Sequence, residues 1–171
     1  MIKTYDPQNP ISYLTVVSTF LHHHDDISEP GDIFYWVNSN CLCDISETPL
    51  AKQLDSMTPL PPGFIQRMYQ FLEPEGRHGE IEVVFLDNLL INFRSQLFFK
   101  GWFSNRKALR YIAYALRPLI TGFLGEDNYQ YDPITSSYLN TTAISDFIVA
   151  YRKVPGYSSV STWITHRGYY E

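Results

Sequence analysis

Near the start of the chain, apolar residues recur at helical spacing. Ile11, Leu14, Val17 and Leu21 follow Asn9-Pro10, a capping side chain and a proline suited to the first helical position. The pattern predicts a helix over 10–23. Glu29-Pro30-Gly31-Asp32 then reads as a turn, 33–37 (Ile-Phe-Tyr-Trp-Val) as a strand, Asn38-Ser39-Asn40 as a second turn and 41–44 as a short partner strand. A short helix is expected over 48–56, capped by Ser46 or Thr48. After Leu60-Pro61-Pro62-Gly63 a better one is expected, with Phe64, Ile65, Met68, Phe71 and Leu72 on one apolar face.

From Gly79 to Lys100 the period changes to two. Ile81, Val83 and Phe85 alternate with Glu80, Glu82 and Val84, and after Leu86-Asp87-Asn88 the residues Ile91, Phe93, Ser95, Leu97 and Phe99 share a face. This predicts a β-hairpin packed on the core by one side, with a helix as the competing reading of 86–99. A helix capped by Ser104 is expected over 104–123, burying Leu109, Ile112, Ala113, Leu116, Ile120 and Phe123, kinked by Pro118 and ended by Gly122 or Gly125. Residues 126–139 read as a polar loop, and 140–153 as a helix with Ile144, Phe147, Ile148 and Tyr151 inside, stopped by Pro155-Gly156. The final stretch suits a strand with Val160, Thr162, Ile164 and His166 on one side. The expected fold is α+β in a single domain over 1–171: a small antiparallel sheet, made of the central hairpin at about 80–100 and the C-terminal strand, covered by four to five helices.

Composition adds size and kind. The chain has 171 residues, 44% of them hydrophobic and 18% charged, which describes a globular protein large enough to need no staple. Cys41 and Cys43 are its two cysteines, too few for a disulfide scaffold or a structural zinc site, and they are expected to be reduced. Neither a signal peptide nor an apolar run long enough to span a bilayer occurs, so the expectation is a cytoplasmic protein with no membrane partner.

Net charge changes the picture more. The overall −5 hides a segregation: residues 1–87 hold 13 acids against 4 Lys or Arg, whereas 88–125 hold six bases and no acid. Arg106, Arg110 and Arg117 in the 104–123 helix lie at intervals of four and seven, beside Lys107 and Tyr114, and predict a guanidinium stripe opposite the apolar face. Lys100, Trp102 and Phe103 stand just before that helix as a stacking platform. Arg, Tyr, Trp and Phe are the residues that concentrate in interface hot spots, so Lys100, Trp102, Arg106, Lys107, Arg110, Tyr114 and Arg117 form the candidate partner-binding set. Another protein is the expected partner. Nucleic acid is a lesser alternative, because three or four phosphate contacts on an acidic protein bind weakly.

Motifs for catalysis are scarce. His22-His23-His24-Asp25-Asp26 supplies metal-ligating side chains, with His22, His24, Asp25 and Asp26 as the set for a metal-dependent hydrolase, but neighbours on a helix diverge by about 100° and three or four ligands must converge. Helix-end histidines near free carbonyls explain the run without metal. The cysteines occupy no nucleophile motif, Glu80 and Glu82 fit an exposed strand face, and no glycine-rich phosphate loop occurs. No cofactor is implied. The leading expectation is a non-enzymatic inhibitory or regulatory protein, a compositional profile shared with immunity proteins, inhibitors encoded by mobile elements and secretion adaptors.

Overall fold

The computed structural model describes residues 10–23, 43–44, 62–87, 89–125, 129–132, 137–140, 143–144, 147–154 and 156–166. The strand expected at 33–37, its flanking turns and the helix expected at 48–56 lie outside these residues. In chain order the elements are α1 (Tyr13–His23), β1 (Cys43–Asp44), β2 (Phe64–Leu72), β3 (His78–Leu86), β4 (Leu89–Phe98), α2 (Ser104–Tyr111), a π-helical turn (Ile112–Leu116), α3 (Arg117–Leu124), β5 (Tyr129–Asp132), β6 (Ser137–Asn140), β7 (Ala143–Ile144), β8 (Phe147–Lys153) and β9 (Ser159–His166).

The strands form one antiparallel sheet in the order β1-β2-β3-β4-β9-β8-β6-β5, with β7 also paired to β8. Five long strands, β2, β3, β4, β9 and β8, make its body. Four to five helices were expected over a small sheet. The described residues instead contain two helical units, α1 and the continuous α2–α3 rod, so the fold is richer in sheet than its sequence suggested.

Two segments expected as helices are strands. Over 64–72 the apolar spacing fits a helix, yet Tyr69 and Phe71 are buried on one face of β2, followed by Glu73, and every residue of β2 pairs with β3. Over 140–153, Phe147, Val149 and Tyr151 alternate inward along β8, which pairs with β9 from Phe147↔His166 to Lys153↔Val160. Their β-branched and aromatic content fits a pleated, half-buried surface once a partner strand is present. Likewise 126–139 is no plain loop, since it carries β5 and most of β6.

The central hairpin matches its pattern. Ile81, Val83 and Phe85 point into the core opposite Ser95, Phe93 and Leu90 respectively, and Leu97 lies opposite Gly79. A bulge between Val84 and Phe85 leaves Ile91 as the extra residue of β4, so Leu90 and Ile91 are both buried in succession. At the turn Asp87 takes φ 47°, and its N–H donates to the Gly63 carbonyl at 3.1 Å. Gly79 is tighter still: the Phe71 ring lies directly over it, in the place a Cβ would take.

α1 starts at Tyr13, three residues later than expected, with Val16 N–H bonded to the Ser12 carbonyl and Ile11 N–H to that of Leu72. It buries Tyr13, Val16, Val17, Phe20 and Leu21 against the sheet. The α2–α3 rod buries Ala108, Ile112, Leu116 and Ile120, while Leu109, Ala113 and Phe123, expected inside, face solvent. The π turn accounts for the phase. Pro118 has no N–H, and its ring would clash with the Tyr114 carbonyl in a regular helix. One wide turn before it, closed by Arg117 N–H on the Ile112 carbonyl, accommodates the proline. Gly125, in the left-handed region at φ 74°, ends the rod as one of the two expected glycines.

Inside the core the Tyr13 hydroxyl donates to Thr162 Oγ1 at 2.9 Å and accepts from Ser95 Oγ at 3.0 Å. Burial pushes its phenol up to about 12 from an ordinary 10.0. A raised folded value means that folding favours the protonated form, so this contribution is intact below about pH 10 and is lost as pH climbs through about 12. Urea midpoints should therefore fall between those pH values, by up to roughly 3 kcal/mol of stability, and Tyr13→Phe should flatten part of that fall. An unchanged slope in Tyr13→Phe would mean that other groups govern alkaline unfolding.

Candidate functional site

At one end of the sheet, three pieces of backbone converge. The β2–β3 loop, 73–77, is closed by Glu73 N–H on the Arg77 carbonyl and Gly76 N–H on the Glu73 carbonyl, with Gly76 at φ 88°. This tight turn sets Glu73 and Arg77 side by side. Continuing the β3–β4 register past Gly79↔Leu97 puts Arg77 beside Phe99, so the end of β4 and the start of α2 lie across from the loop. Between them lies a cleft of about 660 Å³ lined by Glu75–His78 of the loop and β3, Phe98 at the end of β4 with Phe99 and Lys100 after it, and Lys107, Arg110, Tyr111, Tyr114 and Ala115 of the rod.

Its floor is locked. Glu73 is 3% exposed; one carboxylate oxygen accepts from Tyr13 N–H at 2.9 Å, and the other pairs with Arg77 Nε. Arg77 also reaches Glu75 at 2.8 Å, and its guanidinium carbon lies 5.2 Å from the centroids of both Phe99 and Tyr111. One carboxylate thus satisfies an orphan donor at the start of α1 and fixes a guanidinium between two aromatic rings. Burial, reinforced by the Glu73 charge, drives the Tyr111 phenol well above its ordinary range, so it stays protonated and is available only as a neutral hydroxyl.

Around this floor stands a rim of cations. Lys100, Arg106, Lys107 and Arg110 are exposed and form no ion pair with any described residue. Tyr114 is 79% exposed beside them. Apart from Glu75, which Arg77 already engages, the charged side chains lining the cleft are cationic. Such a rim gives the cleft a positive potential.

The structure therefore brings together Lys100, Lys107, Arg110 and Tyr114 of the expected set. Arg106 stands one step outside, in a smaller groove of about 290 Å³ that it shares with Phe103, Lys107 and Arg110. Trp102, 88% exposed, projects from the loop before α2 and lines neither cavity. Arg117 is separated from the others. In a regular helix it would lie nearly in line with Arg106, but the π turn inserts about one residue, and Arg117 is half-buried with interactions of its own. Ser104 was expected as the helix cap. Phe103 holds that position, and the Ser104 hydroxyl bonds Ser158 instead.

Glu73, Arg77, His78 and Tyr111 are site residues that the sequence pattern did not single out. Their signal was Glu73-Pro74-Glu75-Gly76-Arg77, a turn-forming run whose meaning depends on reading 64–72 as a strand. Of the metal alternative, His22 is an exposed side chain packed edge-on against Phe123, while His24, Asp25 and Asp26 lie outside the described residues. Among the described residues no three His, Cys, Asp or Glu side chains converge as a metal site, and no helix is long and apolar enough to cross a membrane. No family model, curated protein or solved structure matches this chain.

Proposed function

We propose that this protein is a non-catalytic binding protein of the cytoplasm that occludes or regulates a partner protein by holding an acidic segment of it in the cleft between the β2–β3 loop and the α2–α3 rod. The observation that carries the reading is that Lys100, Lys107 and Arg110 have no acidic partner among the described residues, around a floor whose own guanidinium is already neutralised. Building such a rim without acids keeps like charges close, a cost that an anionic ligand offsets. Arg110 suits a bidentate carboxylate, and Tyr111 and Tyr114 supply flat contact area with little entropy to lose. A segment of polypeptide fills a cleft of about 660 Å³ along its length.

Fluorescence anisotropy with a short labelled Glu/Ser peptide tests this reading. The wild-type protein is expected to bind it in a salt-sensitive manner, and Lys107→Glu/Arg110→Glu to weaken binding at least about tenfold, with melting temperature nearly unchanged because both side chains are exposed. Equal binding by the reversed variant, or tighter binding of a single-stranded oligonucleotide than of the peptide, contradicts it.

A further inference from the structure

Beside the cleft the chain makes a spur that the anion site does not use. Trp102 and Phe103 are consecutive, 88% and 71% exposed, and Phe103 adopts φ 62° and ψ 22°. Left-handed backbone is unfavourable for a bulky residue, and Gly or Asn takes it more readily. The conformation is nonetheless held from several sides. Gly101 precedes it at φ 89°, Ser104 N–H donates to the Gly101 carbonyl, and Lys107 N–H donates to the Phe103 carbonyl at 2.9 Å. The β8–β9 loop clamps it further: Ser158 Oγ bonds Ser104 Oγ and Asn105 Oδ1, and the Ser158 carbonyl accepts from Phe99 N–H. Two large aromatic side chains are thus presented to solvent on a strained, pinned loop. Strain retained in that way, and apolar surface exposed in that way, mark contact sites.

From Phe103 the groove of about 290 Å³ runs past Arg106 to Lys107 and Arg110, which also line the main cleft. The aromatic spur and the cationic cleft are therefore one continuous surface. We infer that the partner segment is amphipathic as well as acidic: its carboxylates lie on Lys107, Arg110 and Lys100, while its apolar side chains pack on Trp102 and Phe103. The inference rests on the reading of the cleft as an acidic-segment site and names the second half of the ligand. Charge complementarity selects the occupant, since the cations beside the spur lack acidic partners among the described residues. Concavity selects polypeptide over an anionic bilayer, because a flat membrane reaches the spur and leaves the cleft empty. Rigid aromatic anchors beside a charged rim are the usual composition of an interface hot spot.

Two labelled peptides of equal charge separate the halves: the Glu/Ser peptide and a Glu/Leu peptide in which Leu replaces Ser at alternate positions. Binding of the Glu/Leu peptide is expected to be at least about tenfold tighter, the scale of one hot-spot contact. That gain should vanish in Trp102→Ser/Phe103→Asn, whose Asn tolerates the left-handed backbone, while affinity for the Glu/Ser peptide persists. Equal affinities for the two peptides, or a gain that survives the double substitution, overturn the amphipathic ligand and leave the acidic one standing. Failure of both peptides to bind overturns both readings. Capture by phosphatidylserine-containing vesicles that depends on Trp102, with no peptide binding, overturns them in favour of a lipid surface.

Discussion

Glu73→Ala is expected to destabilise the protein by about 3 kcal/mol or more, the scale for removing one member of a buried ion pair. The loss has three parts. Arg77 keeps its charge between Phe99 and Tyr111 with only the exposed Glu75 to balance it, Tyr13 N–H loses its acceptor at the start of α1, and a small cavity opens. For a domain of this size the melting temperature should fall by roughly 10 °C. The Arg77 side chain is 26% exposed, which places the effect toward the lower end of the buried-pair range. Glu73→Gln retains an oxygen for Tyr13 N–H and should cost less than half as much. Thermal melts of the two variants decide the matter. Equal losses would show that the Glu73 charge on Arg77 carries the whole effect and that the oxygen offered to Tyr13 N–H adds nothing, which contradicts the double role given to this carboxylate.

Gly79→Ala is expected to cost about 2–3 kcal/mol through overpacking. An added Cβ would fall on Phe71 Cζ, Cε1 and Cε2, and because that ring is fully buried, it can yield only by displacing its neighbours. Phe71 also stacks with Tyr13 at 6.2 Å, and the shift would propagate to the hydroxyl pair of Tyr13 and Thr162. Phe71→Leu in the Gly79→Ala background should recover at least about 1 kcal/mol relative to the sum of the single changes, since the clashing atoms are gone. Urea denaturation of the four proteins in the cycle measures that coupling. Strict additivity would mean that the ring does not press on Gly79.

Where the sequence pattern was read correctly, and where it failed, follows from what each period can distinguish. In 79–85 Ile81, Val83 and Phe85 alternate with Glu80, Glu82 and Val84, and in 91–97 Ile91, Phe93, Ser95 and Leu97 alternate with Asn92, Arg94 and Gln96, so the inward face of each run was legible before any partner strand was known. In β9 the inward set Val160, Thr162 and Ile164 was legible for the same reason. β2 and β8 defeat the method because their apolar residues satisfy both periods: Phe147, Ile148 and Tyr151 fit a helix turn, while Phe147, Val149 and Tyr151 fit a strand. Only pairing with β3 or β9 breaks that tie, and pairing is a long-range fact. The candidate site was half legible by the same logic. Lys107, Arg110 and Tyr114 are local to one helix and their spacing placed them together. Glu73, Arg77 and Tyr111 meet through the β2–β3 turn, which appears only when 64–72 is a strand. Arg117 was lost to the π turn, whose extra residue shifts the phase of everything after Pro118's demand for a wider turn.

A charge-swap titration tests most directly whether this cleft recognises an anion by its cationic rim. Wild-type protein and Lys107→Glu/Arg110→Glu are each titrated with the Glu/Leu peptide and with a Lys/Leu peptide of matched length. The expected result is a crossover: wild type binds the acidic peptide, and the reversed variant binds the basic one, each preference at least about tenfold and shrinking with added salt. Indifference of both proteins to the sign of the peptide, or an acidic preference that persists in the reversed variant, contradicts the cleft as the site of recognition.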